Sequence, residues 1–135
     1  MIRCTGMERR EFEKLVAEGF AAIPERFRKR VKNVVFLVED EPSDEVRRRE
    51  GLASDETLLG HYTGLPISER GDTYGVGATL PDTILIYQNP IEEEARGDLK
   101  QIQAIIADTV WHEIAHHFGF DEGEVREREK RRAKE

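Results

Sequence analysis

Phe12, Leu15, Val16, Phe20 and Ile23 recur at three- and four-residue steps, which predicts an amphipathic helix running to about Ile23. Thr5 and Glu8 ahead of it have capping-box spacing. Pro24 suits the first position of a short second helix, PERFRKR, whose Arg26, Arg28, Lys29 and Arg30 read as a solvated face. The run VVFLV, 34–38, is continuously apolar between Asn33 and the group Glu39-Asp40-Glu41-Pro42. It predicts a strand buried on both sides and central in a sheet. Residues 43–57 are strongly polar, a surface excursion with room for one or two helical turns. Five glycines between Gly60 and Gly77 predict turns rather than regular structure. TILIYQ, 83–88, is a second strand, and Pro81 and Pro90 at its ends point to an edge position. Asp98 and Gln101 repeat the capping-box spacing. Behind them Ile102, Ile105, Ile106, Val110 and Phe118 carry an apolar face up to Gly119, a natural helix stop. The tail from Asp121 to Glu135 holds six acids and six bases and predicts a solvated helix.

Length and composition narrow the class. The chain has 135 residues, enough for one domain, 1–135, with its own modest core. The single cysteine, Cys4, excludes an internal disulfide and a thiolate-ligated metal site, and favours a reducing compartment. No apolar run approaches a membrane span, and the charged N-terminus lacks the apolar core of a secretory signal, so a cytoplasmic protein without membrane contact is expected. A net charge of −7 opposes a nucleic-acid partner. The glycine spacing of GDTYGVG matches no phosphate-binding fingerprint.

The chemistry concentrates at the end of the long C-terminal helix, where residues 112–122 read HEIAHHFGFDE. His112 and His116 are one turn apart and, at 100° per residue, within about 40° of each other, so two imidazoles can converge on one tetrahedral cation. Glu113 points about 100° away from His112, too far round to ligate easily but placed to accept a proton from water on the metal. A third ligand is needed. Glu122 can swing back across the turn at Gly119, with Asp121 as its neighbouring rival. His61, in the glycine-rich segment, is a remote candidate ligand and reads more simply as a turn histidine. His117 lies near the helical face of Glu113, where it could tune that group, bind substrate or pack at the helix end. Tyr62 and Tyr74 are candidate hydrogen-bond donors to a tetrahedral oxyanion, although packing explains either as well.

These residues resemble the small bacterial zincin-like metallopeptidases, minimal domains with HExxHxxG followed by an acid. The resemblance extends to FEKLVAEGFAAIPERFRKRVKNVVFLVED at 12–40, LLGHYTGLPISERG at 58–71 and ILIYQNPIE at 84–92. It implies an α+β fold, a small mixed β-sheet with flanking helices and an edge strand over the HExxH helix. Two departures matter. The family usually shows Asp at the third-ligand position, whereas position 122 is Glu with Asp121 beside it. The only methionines, Met1 and Met7, precede the motif, so the methionine turn of the larger metzincins is absent.

The resulting expectation is a monomeric zinc-dependent metallopeptidase acting on a peptide or protein substrate. His112, His116 and Glu122 would hold Zn²⁺, Glu113 would be the general base, and ILIYQ would align an extended peptide by main-chain pairing. The alternative is a zinc-binding interaction module without protease activity, favoured by how little room so short a chain leaves for a walled cleft. A hydrolase of non-peptide amides would use the same residues.

Overall fold

The computed structural model describes residues 7–31, 33–64 and 81–119. Within them the predicted first helix is α1, Arg9–Ala21, which buries Phe12, Val16 and Gly19. Glu8 is its N-cap without a side-chain cap bond, and Thr5 lies outside the described residues. Pro24 caps the single turn α2, Glu25–Arg28. The Arg26 and Lys29 side chains are solvated, while Phe27 turns inward against Trp111, with ring centroids 5.3 Å apart.

Strand β1, Val34–Glu39, forms where expected but, among the described residues, at an edge of the sheet and not at its centre. Its residues alternate between half-buried and exposed, and Val35 and Leu37 are 39% and 46% exposed. A continuous apolar run therefore does not mean burial on both sides here. Ser43 caps α3, Asp44–Arg49, by accepting from Val46 N at 3.2 Å, and Val46 is the one residue of that helix that is buried. The glycine-rich segment opens with a strand that its composition concealed, β2, Gly60–Thr63. Residues 65–80, including Tyr74, lie outside the described residues.

Strand β3, Asp82–Tyr87, is central, against the expectation of an edge, because the sheet order is β1-β3-β2. It pairs in parallel with β1, from Val34 opposite Asp82 to Glu39 opposite Tyr87. It pairs antiparallel with β2, from Gly60 opposite Ile86 to Thr63 opposite Thr83. The two prolines do not interrupt this ladder. Pro81 precedes the strand, and Pro90 falls in the first turn of α4, Gln88–Glu94, where a missing N–H costs no helical bond. α4, which no apolar periodicity in the sequence marks, follows the strand directly.

The last element is α5, Leu99–His117, capped by Asp98, whose side chain accepts from Lys100 N at 3.3 Å. It stops at Gly119, whose φ of 95° only glycine adopts without strain, and whose N–H bonds the His116 carbonyl at 2.8 Å. α1 and α5 cover one face of the sheet. Between them and Ile84 and Ile86 of β3 lies the core, with Phe12, Val16, Ile102, Ile106, Val110 and Ile114 almost wholly buried. At Gly19, α1 packs on α5 at Ile106 and Ala107. The arrangement is the expected α+β fold with a small mixed sheet and flanking helices. No helix among the described residues is long and apolar enough to cross a membrane.

Candidate active site

Helix α5 is buried along one side by the core and opens along another into a cleft of about 670 Å³. Ile105, Asp108, Thr109, His112, Glu113 and His116 line it from the helix, a set at three- and four-residue steps. Leu58, Leu59, Gly60, His61 and Tyr62 form the facing wall, and Glu50 and Glu94 complete the lining. The strand that walls the cleft beside the HExxH segment is thus β2; the predicted ILIYQ strand also packs on α5, but from the centre of the sheet. Among the described residues β2 is an edge strand, since β3 pairs with only one of its sides.

His112 and His116 are half-buried, with ring centroids 5.0 Å apart and planes at 67°. Helical spacing brings the two imidazoles together on the cleft wall, as the sequence predicts. Glu113 is 7% exposed and lies against β2. A Cβ on Gly60 would be 3.4 Å from the Glu113 Cγ and 2.7 Å from the Thr109 Cγ2, so the strand approaches this closely only because position 60 has no side chain. Glu113 also acts at a distance. Burial, then the negative charges of Glu39, Glu113 and Glu50, push the Tyr87 hydroxyl up to about 12.

His61 lines the same cleft, its Nε2 3.5 Å from Glu50 Oε2. His117 turns the other way. It is completely buried, and its Nδ1 lies 2.9 Å from Asp82 Oδ2. The Tyr62 hydroxyl donates to that same oxygen at 2.7 Å, which directs its single proton to Asp82. Asp82, 4% exposed at the start of β3, is the site residue that sequence reasoning missed. Its partners lie 20 and 35 positions along the chain, and no local pattern connects them.

Two imidazoles one turn apart on the wall of a cleft are a donor pair that suits Zn²⁺. Among the described residues no group of three His, Cys, Asp or Glu side chains is gathered for a metal ion. Glu122 and Asp121, the candidates for a third ligand, lie outside the described residues.

No curated protein matches the chain. A family model does, the one described as zincin-like metallopeptidase, over residues 31–132. That match runs from just before β1, across the cleft and the His112–His116 segment, to within a few residues of the chain's end. Because it takes in most of the sequence, this chain belongs to the zincin-like metallopeptidase family.

Proposed function

We propose that the protein is a zinc-dependent peptidase in which His112, His116 and Glu122 hold the metal and Glu113 is the general base. The observation that carries this reading is the placement of His112, Glu113 and His116 along one wall of a cleft whose other wall is an edge strand. Zn²⁺ held there would supply a Lewis acid that polarises a carbonyl and lowers the pKa of water towards about 7.

The chain's own residues account for the rest. An extended peptide lies along β2, whose backbone groups on the side away from β3 pair with those of the substrate. Glu113, shielded from bulk solvent, takes a proton from the water that attacks the scissile carbonyl carbon. As the C–N bond breaks, the same carboxyl returns that proton to the departing amine. Glu113 sits against Gly60 of β2, so the proton acceptor and the strand that aligns the substrate are held in one register. The cleft removes the argument for a binding module that rested on how little room so short a chain leaves for a walled site.

The test is peptide turnover by Glu113→Ala beside wild type, with zinc content measured on both. The expected result is retained zinc and a kcat lower by about 10²–10⁴-fold, the usual contribution of a general base. Unchanged turnover in the variant overturns the mechanism.

A further inference from the structure

The buried contacts behind α5 point to a device that sets the direction of the two histidines. Around the helix, His117 lies about 100° from His116 and about 140° from His112. A helix that fixes His117 on the sheet side therefore has its rotation fixed, and with it the direction of both imidazoles. His117 is fixed in this way: it is wholly buried, and its Nδ1 is 2.9 Å from Asp82 Oδ2. An ionised carboxylate only accepts, so the Nδ1–H donates. Asp82 is itself anchored at the start of the central strand, its N–H bonded to the Asn33 carbonyl at 2.9 Å. The same Oδ2 receives the hydroxyl of Tyr62, whose ring meets that of His117 edge-on with centroids 6.2 Å apart. Gly64 follows β2 at a φ of 152°, and a Cβ there would overlap the Asp82 carboxylate, so the chain passes too closely for any side chain. One carboxylate thus ties together the helix that carries the candidate ligands, the central strand and the edge strand across the cleft.

We propose that Asp82, His117 and Tyr62 form a buried clasp of positioning residues that holds His112 and His116 facing the cleft and β2 at its working distance from them. This rests on the reading of His112 and His116 as zinc ligands. A buried carboxylate is costly unless hydrogen-bonded, so each bond lost also weakens the fold, and stability alone does not separate a clasp from ordinary packing. Zinc affinity and the visible spectrum of the Co²⁺-substituted protein do, when both are measured well below the unfolding temperature of each variant. His117→Ala and Asp82→Ala should raise the zinc Kd by about tenfold or more, the low end of the range for groups that orient metal ligands, and should shift the cobalt bands. His117→Asn keeps a donor near the Nδ1 position and should restore most of the affinity. If the alanine variants do not fold, Tyr62→Phe keeps the ring and removes one bond, and a weaker zinc affinity in that protein supports the clasp. Folded variants that bind zinc as tightly as wild type, with unchanged cobalt bands, overturn it. A wild-type protein that binds no zinc overturns the ligand reading, and the clasp's role with it.

Discussion

Tyr87 ends the central strand with a fully buried side chain, and its hydroxyl has no hydrogen-bond partner among the described residues. Burial and then the carboxylates of Glu39, Glu113 and Glu50 raise its pKa from 10.0 to about 12. Below pH ~10 the tyrosine keeps its proton whether the chain is folded or not, and its contribution is intact. Between pH ~10 and ~12 the unfolded chain loses that proton while the folded one retains it, so stability falls with rising pH, by up to about 3 kcal/mol at ~1.4 kcal/mol per pH unit. Tyr87→Phe should gain about 1 kcal/mol at neutral pH by removing an unsatisfied hydroxyl, and should lose less stability than wild type in the alkaline window. Urea unfolding of both proteins at pH ~8 and ~11 measures this, and equal alkaline losses would contradict it. At this scale the sequence is legible where chemistry follows local spacing. His112, Glu113 and His116 share a wall of the cleft because helical geometry dictates it. The bond from His117 to Asp82 was not legible, since only the folded sheet brings residues 35 positions apart into contact.

Helices with an apolar stripe were the legible elements: α1 and α5 stand close to their predicted bounds because side-chain periodicity and terminal residues agree. Strand positions were exchanged. VVFLV is the more uniformly apolar run, yet it lies at an edge, and the proline-flanked strand is central. The central strand carries Ile84 and Ile86 into the core with no exposed surface, whereas β1 leaves Val35 and Leu37 exposed. β2 went unread because Gly60, which resembles a turn residue, is there for close approach. Gly60→Ala should accordingly destabilise the fold by about 1–3 kcal/mol, as overpacking does, by pushing β2 off Thr109 and Glu113. Thr109→Ser removes the methyl group 2.7 Å from the new Cβ and keeps the hydroxyl that bonds the Ile105 carbonyl. Part of the loss should return in the double variant, although the Leu85 carbonyl at 3.1 Å limits the recovery. A double-mutant cycle in urea measures the coupling, and strict additivity would show that the two atoms do not meet.

Across the described residues, one face of a three-stranded sheet carries the helix bearing HEIAH, and the edge of that sheet walls the cleft beside it. A chain of 135 residues therefore does form a walled cleft, because one long helix serves both the core and the site. The fold class and the family were legible from the sequence; which carboxylate completes a metal site was not, because Asp121 and Glu122 are adjacent and a small change in the turn exchanges them. The proposed function stands or falls with zinc held by His112 and His116 beside Glu113. Zinc content by mass spectrometry tests it most directly, on tag-free wild type, His116→Ala and Glu113→Ala, each dialysed against zinc-poor buffer. About one zinc per chain is expected in wild type and in Glu113→Ala, with loss of the metal in His116→Ala. Metal absent from wild type even after zinc is added back, or retained in full by His116→Ala, would contradict it.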